Sequence, residues 1–256
     1  MDEISFRPLP VVPGWMSAHV QSVGSTNAEL TKLFLRDGKG LNRHWLTAGE
    51  QTIGKGRRAR EWVSPPGNLY ASLCLDITGL PENKLSVMPL AIGVAIHHCV
   101  SELIATDARL KWPNDVLIDG AKCCGILLER HVHATSGDVG LIAGIGLNIA
   151  SHPSDTPYPA TNLSVHGFKG SLSPVFDTLS AAVADTLADL KYAGFVTRIQ
   201  EAWVTGAKGI GEPVTVNLAN ETLQGIFERL DDEGRMQLRL RDGTLKTITA
   251  GDVFFS

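Results

Sequence analysis

Positive charge is scarce in this chain. Lysine and arginine number 23 against 27 aspartate and glutamate, a net charge of −4 over 256 residues. That balance argues against a dedicated nucleic-acid binder, whose surface is usually basic. Long apolar runs are lacking as well. The longest, around Val87 to Val100, is interrupted by His97 and His98 and falls short of the roughly 20 residues that a membrane span needs. No membrane partner is therefore expected. The N-terminal MDEISFRPLPVVPGW begins with acidic residues and has no basic start before an apolar run, so it does not read as a secretory signal. Cysteine is limited to Cys74, Cys99, Cys123 and Cys124, with no CxxC spacing and no neighbouring zinc ligands. Four reduced thiols in a cytoplasmic protein are the expectation. His131 and His133 share a strand face without a third ligand. No Ser-His-Asp or Cys-His arrangement follows from the spacing, so the chemistry is expected to lack a protein nucleophile.

What is present is an ordinary globular composition, 43% hydrophobic and 20% charged, enough for one large domain with a small appendage. STNAELTKLFLRD starts a helix, with Thr26 and Glu29 at capping-box spacing and an apolar stripe of Leu30, Leu33 and Phe34. HWLTAGE and NLYASLCLDI read as strands. A long helix is expected over Leu85 to Ile104, opened by Ser86 and Pro89 and apolar on nearly all sides. Asp119-Gly120 between two apolar runs marks a hairpin, and GLIAGIGLNIA a buried strand whose Gly144 and Gly146 suggest close approach to the backbone. Residues Ser151 to Gly170 read as a loop. Another helix carries Val175, Leu179, Val183, Leu187 and Leu190, and a further element Ile199 and Trp203. From Glu212 the pattern changes to short alternating strands, PVTVNL, LQGIFERL, RMQLRL and TLKTITAGDVFF, which predict a small β-barrel over 212–256 after a main domain over 1–211. Hairpins mixed with helices favour the α+β class for that main domain.

The stretch GEQTIGKGRRAREW, Gly49 to Trp62, carries the densest chemical signal. Gly49 to Lys55 matches G-x-x-x-x-G-K, but a phosphate-binding P-loop needs Ser or Thr after the lysine, and here Gly56 follows. Pro65 and Pro66 also rule out the helix that should follow it. A nucleic-acid patch finds no continuation, because 212–256 carries eight acidic and five basic residues. A solvated charge run stays open. Against it, Gly54 and Gly56 alternate with Lys55, Arg57, Arg58 and Arg60, so that backbone N–H groups and cations can converge on one anion. Trp62 adds a face for stacking a base, and a mobile glycine-rich loop suits closure over a phosphorylated species.

Further along, KWPND places Lys111, Asn114 and Asp115 at a strand end. It reads either as a plain turn or as a nucleotide and magnesium corner, with Asn114 for hydrogen bonds, Asp115 near the metal–phosphate and Lys111 for charge. Lys122 enters an apolar strand, where it either snorkels to solvent or neutralises charge between a carboxylate and an α-phosphate. Gly125 beside it leaves room for a ligand. Ser25, Thr26 and Asn27 have a helix-cap reading.

In their order, STN, Q-T-x-G-x-G-R-x-x-R-x-W with S-P-x-G-N-L-Y, KWPND, the K-x-x-G-I-L strand and G-I-G-L-N, these pieces resemble biotin–protein ligases from about Ser25 to the C-terminus. The resemblance implies a catalytic domain like that of class II aminoacyl-tRNA synthetases and of biotin and lipoate ligases, followed by a C-terminal SH3-like barrel. It implies ATP and biotin as substrates, Mg2+ with Asp115 as its ligand, and a biotin carboxyl carrier protein as partner. Ser25, Thr26 and Gln51, with Asn27, correspond to the set that hydrogen-bonds the ureido ring. Lys55, Gly56 and Arg57 correspond to the loop over carboxyl and phosphate, and Trp62 to the adenine stack. Lys122 corresponds to the lysine at the carboxyl–phosphate junction, and Gly125 and Gly144 to the close-approach glycines. Arg57 and Lys122 are the implied catalytic pair, and Arg58, Arg60, Lys111, Asn114, Asp115 and Asn148 complete the implied adenylate set. Lys55 stands where an arginine is commonest, which keeps charge but loses bidentate geometry, and Ala59 replaces a frequent glycine. Only 24 residues precede Ser25, five of them proline or glycine, so no DNA-binding repressor domain and no DNA partner are expected. Pairing into a homodimer through sheet edges is a further implication. The alternatives are a lipoate–protein ligase and, from another class, an RNA-binding module.

Overall fold

A computed structural model describes residues 4–255; the acidic start Met1–Glu3 lies outside the described residues. The first sheet collects eight strands in the order β1-β2-β3-β4-β8-β7-β6-β5. They are β1 (Arg7–Pro8), β2 (Met16–Val23), β3 (His44–Gln51), β4 (Leu69–Asp76), β5 (Ala108–Lys111), β6 (Asp115–Ile118), β7 (Ala121–Val132) and β8 (Val139–Leu147). Strands β2 and β3 run parallel and the other pairs antiparallel. The parallel step exists because α1 (Thr26–Asp37) crosses over between them, the geometry that a parallel connection requires.

Alternation along the strands gives the sheet two apolar faces. On one face Leu46, Cys74 and Ile142 meet Leu30 and Phe34 of α1. On the other, Trp45, Leu73 and Ala143 belong to the main core, together with α3 (Met88–Leu103), α4 (Leu172–Leu187) and α5 (Phe195–Gly206). Helix α3 is buried almost all round, as its apolar composition requires. It does not extend back to Leu85. A short α2 (Glu82–Ser86) ends first, and Val87 (φ −92°, ψ 0°) separates the two. Pro89 supplies the reason: its ring would collide with the carbonyl of Leu85 in a continuous helix, whereas it is at home in a first turn.

The Asp119-Gly120 hairpin forms as expected, with both residues at positive φ (50° and 78°), joining β6 to β7. At the start of α1 the cap differs from expectation. Ser25, not Thr26, is the N-cap, its hydroxyl accepting from the Ala28 N–H at 3.4 Å, while Glu29 pairs with Lys32 at 2.8 Å. Thr26 is thereby left free of the capping role.

The second sheet has the order β12-β11-β10-β9-β13, formed by β9 (Pro213–Asn217), β10 (Thr222–Leu230), β11 (Met236–Leu240), β12 (Leu245–Ile248) and β13 (Asp252–Phe255). TLKTITAGDVFF, read as one strand, is two strands on opposite edges, because the chain turns at Ala250-Gly251 and β13 pairs with β9. Val214, Phe227, Leu238 and Val253 continue the main core without a gap. Trp112 Nε1 donates to the Gly234 carbonyl at 3.0 Å and Gln200 Nε2 to the Asp231 carbonyl at 2.7 Å, fixing this sheet beside the β5–β6 turn and α5.

Candidate active site

A cavity of about 360 Å3 opens between the start of α1, the ends of β3, β7 and β8, the Gly/Arg loop, the 153–160 loop and β13. Each motif singled out in the sequence contributes to it. Ser25, Thr26 and Asn27 come from the capped start of α1, Gln51 from the end of β3, Lys111, Asn114 and Asp115 from the β5–β6 turn, and Lys122 and Gly125 from β7. Gly144 and Asn148 come from β8 and the residue after it. From the loop come Lys55, Gly56, Arg57, Arg60 and Trp62. Arg58 alone of the expected residues is outside the lining; it lies on the exposed outer turn.

Under α1 the polar groups form one network. Gln51 Oε1 accepts from the Thr26 N–H at 2.9 Å, and Gln51 Nε2 donates to Ser64 Oγ at 3.0 Å. Ser72 Oγ lies 2.7 Å from Thr26 Oγ1 and 2.6 Å from Asn27 Oδ1. Asn27 Nδ2 donates to Glu129 Oε2 at 2.7 Å. The space above Gly144 is taken by this asparagine rather than left for a ligand: a Cβ on Gly144 would come within 2.3 Å of Asn27 Oδ1. Trp62 does the same above Gly146, where a Cβ would meet its Nε1 at 2.3 Å, and it also covers Gly125. The close approach read from these glycines is therefore made by the protein's own side chains, and the indole forms part of the floor.

The Gly/Arg loop closes on itself. Trp62 N–H donates to the Gly54 carbonyl at 3.0 Å and Gly56 N–H to the Arg60 carbonyl at 2.8 Å. Gly54 is the glycine that sterics demand, since a Cβ there would sit 2.3 Å from the Trp62 carbonyl. The Gly56 N–H serves the loop rather than an anion. At the tip, Arg58 and Ala59 both hold positive φ, 56° and 57°, a conformation that costs a non-glycine residue about 1–2 kcal/mol. That is the physical reason a glycine would suit position 59.

The cations are tethered. Arg57 donates to Asn114 Oδ1 at 2.8 Å, and Asn114 Nδ2 to the Ile126 carbonyl at 2.6 Å. Asn114 thus holds Arg57 with one lone pair and the β7 backbone with one N–H, while lining the cavity. Arg58, at 3.1 Å, and Arg60 both pair with Asp252 of β13. Burial pushes the Asp252 carboxyl up, but Arg60, Arg58 and Arg57 outweigh it and hold it below the usual aspartate range.

Lys122 does not snorkel. Its ammonium forms a 2.6 Å ion pair with Asp115, each side chain 12% exposed, and sits 5.4 Å from the Trp62 ring and 5.3 Å from Tyr158. It is therefore not a lone cation. Burial opposes its charge, yet the Asp115 carboxylate prevails and raises Lys122 above the ordinary lysine range. Lys111 lacks such a partner at ion-pair distance among the described residues; it lies between Tyr158 (5.1 Å) and Phe254 (5.6 Å), and burial lowers its pKa. Burial also lowers Arg57.

Five contributors were not read from the sequence. Tyr158 lies in a stretch legible only as loop, and Asp252 in a terminal strand. Ser64 opens the S-P-x-G-N-L-Y run but carried no role there, and Ser72 and Glu129 have no motif of their own. The sole signal for Ser72 was a polar side chain on a mostly apolar strand; Glu129 had none, because Arg130 and His131 follow it on the same strand. His131 contacts Thr31 and His133 contacts Ser136, and no three His, Cys, Asp or Glu among the described residues could jointly hold a metal.

Comparison with known proteins fits this arrangement. A family model described as Biotin/lipoate A/B protein ligase family matches residues 21–148, and one described as Biotin protein ligase C terminal domain matches residues 209–256. A biotin–[acetyl-CoA-carboxylase] ligase from Paracoccus denitrificans is 38% identical over 242 residues, covering 90% of this chain and 97% of that protein. The enzyme of the same name from Mycobacterium tuberculosis is 28% identical over 263 residues, covering 99% and 95%. The structure of the Aquifex aeolicus biotin protein ligase in complex with biotin and ATP matches with a TM-score of 0.76 at 24% identity, over 94% of this chain and 99% of that one, a likeness of fold.

Proposed function

The chain belongs to the biotin/lipoate A/B protein ligase family, and we propose that the cavity described above joins biotin to ATP and then hands the biotinyl group to a carrier. It is a biotin–protein ligase acting with ATP. In the first step the biotin carboxylate attacks the α-phosphorus and pyrophosphate leaves, giving biotinyl-5′-AMP. In the second, a lysine amine of a biotin carboxyl carrier domain attacks the acyl carbon and AMP leaves.

The observation that carries the reading is the side-by-side placement of an amide-and-hydroxyl network and a cation cluster in one cavity. Gln51, Thr26, Asn27 and Ser25 suit a ureido ring. Lys122, Arg57 and Lys111 suit the meeting of a carboxylate with a phosphate, which needs positive charge fixed before the reaction. Because Asp115 keeps Lys122 charged, Lys122 acts as an electrostatic stabiliser and not as a base. Arg57, held by Asn114, flanks the same point. Lys55 and Gly56 cover the carboxyl side, Trp62 and Asn148 the nucleobase side, and Arg58 and Arg60 the outer phosphate side. An acyl phosphate must be kept from water, and the loop clasped to Asp252 supplies that cover. Asp115 would hold Mg2+, a single carboxylate being enough when substrate phosphates provide the other ligands; the ion would neutralise charge on the phosphates.

A division at Glu212 and an SH3-like curl of the second sheet are part of this proposal, supported by its five short antiparallel strands and the separate family match over 209–256. So are a likeness of the first sheet to class II synthetases and a cytoplasmic site of action, the latter supported by four free, buried cysteines. No helix of the described residues is long and apolar enough to cross a membrane. Pairing of two copies through β2 is supported by its outer edge, which β1 covers only at Met16 and Ser17. No role on DNA is proposed. The RNA-binding alternative is disfavoured because Arg58 and Arg60 face Asp252, not an open basic surface. ATP–pyrophosphate exchange that starts with biotin and not with lipoate is the expected result. Exchange driven by lipoate, or salt-sensitive RNA binding without exchange, would overturn the reading.

A further inference from the structure

We infer that Ser72 and Glu129, neither of which lines the cavity, are positioning residues that set the direction of the hydrogen bonds beneath α1 and thereby select a head group carrying N–H donors. This rests on the biotin reading and deepens it.

The directions follow from counting protons. Asn27 Nδ2 lies 2.7 Å from Glu129 Oε2 and 3.4 Å from the Leu127 carbonyl. A carboxylate and a carbonyl only accept, so the amide nitrogen faces them and Oδ1 faces Ser72. Oδ1 also only accepts. Ser72 has one hydroxyl proton and lies 2.6 Å away, so that proton is committed to Asn27. The remaining contact of Ser72, 2.7 Å to Thr26 Oγ1, is then satisfied by the Thr26 proton pointing at the Ser72 lone pair. The competing acceptor, Gln51 Oε1, is farther at 3.1 Å and already takes the Thr26 backbone N–H. On the far side Gln51 Nε2 donates to Ser64, whose own proton goes to the Trp62 carbonyl at 2.8 Å.

Each of these hydroxyl protons points into the protein. Thr26 Oγ1 and Gln51 Oε1 are left to present lone pairs to the cavity. A cyclic urea brings two N–H donors to such a surface; a dithiolane ring brings none. Ser25, whose oxygen accepts from Ala28, keeps its proton for a carbonyl. Ser72 is fully buried and Asn27 is 5% exposed, so water does not relax these directions, and a wrong-polarity ligand leaves buried groups unpaired.

The test compares pyrophosphate exchange with biotin and with a cyclic-carbonate analogue in which ring oxygens replace both ureido N–H groups. In Ser72→Ala the Thr26 proton is free to turn toward the ligand. The KM for biotin should rise about tenfold, corresponding to one hydrogen bond, and the preference for biotin over the carbonate should shrink by a similar factor. The kcat and the KM for ATP should stay within about twofold, a split that general loosening of the site does not produce. Glu129→Leu, at a partly exposed side chain, releases the Asn27 amide and should move the preference in the same direction; it carries the test if Ser72→Ala does not fold. An unchanged preference and biotin KM in the folded variant would overturn the inference while wild-type biotin exchange still upholds the function. Absence of biotin-dependent exchange in the wild type would instead bring down the biotin reading itself.

Discussion

Asp252, the first residue of β13, accepts from Arg58 Nη1 at 3.1 Å across 194 positions of sequence, and Arg60 shares the same carboxylate. The loop over the cavity is thus clasped by a residue of the C-terminal sheet. Both arginines are more than a third exposed, so the clasp contributes little to global stability, under about 1 kcal/mol. Its effect is local. Asp252→Asn should leave the melting temperature nearly unchanged and raise the escape of biotinyl-AMP several-fold, read as biotin on lysines of a bystander protein. Because the Asp252 pKa is held below the ordinary aspartate range, the clasp's contribution is present at neutral pH and is lost only as pH falls through that lowered value.

Lys122→Ala removes the cation and strands the Asp115 carboxylate, 12% exposed, in the cavity floor. A stability loss of about 3 kcal/mol is expected, as for a broken buried pair, with pyrophosphate exchange reduced at least roughly 100-fold. Biotin binding stays measurable by calorimetry. Lys122→Met combined with Asp115→Leu should recover the stability and not the exchange; recovery of both would remove Lys122 from the chemistry.

Arg57→Gly deletes the guanidinium that Asn114 holds at 2.8 Å. Exchange should persist at a reduced level while the adenylate leaves the cavity and acylates unrelated lysines. Mass spectrometry of a protein mixture reads this directly, and labelling confined to the carrier would count against the role of Arg57 in retention.

Lys111 is 9% exposed, lies between two aromatic rings, and has its pKa lowered by burial. A lowered amine pKa means the folded state disfavours the proton, so the penalty is complete below the lowered value and fades as pH rises toward the ordinary lysine range. Lys111→Met should therefore raise the melting temperature at neutral pH, and the gain should shrink in alkaline buffer. Exchange activity should fall at the same time, the trade expected when a strained charge serves function.

Local signals in the sequence were easy to read where the physics is local. Asp119-Gly120 specified its hairpin because both positions need positive φ, and Gln51, Arg57 and Lys122, each read within a dense motif, all line the cavity. Pro89 did encode the break before α3, but the apolar run on either side masked it. Thr26 was given the capping role that Ser25 plays, a shift of one residue that matters because Thr26 is then available to the cavity. What stayed hidden depends on distant pairing: Asp252 acquires meaning only beside Arg58 and Arg60, Tyr158 only beside Lys111 and Lys122, and Ser72 only beneath Asn27. Asn114 was legible as a site residue, whereas its use in tethering Arg57 required the two to meet across 57 positions.

The most direct measurement is intact-mass analysis of a biotin carboxyl carrier domain incubated with this protein, biotin and MgATP. The account predicts one biotinyl group on a single carrier lysine, dependent on biotin and ATP and abolished by Lys122→Ala. An unmodified carrier, or modification that proceeds equally well with lipoate, would contradict it.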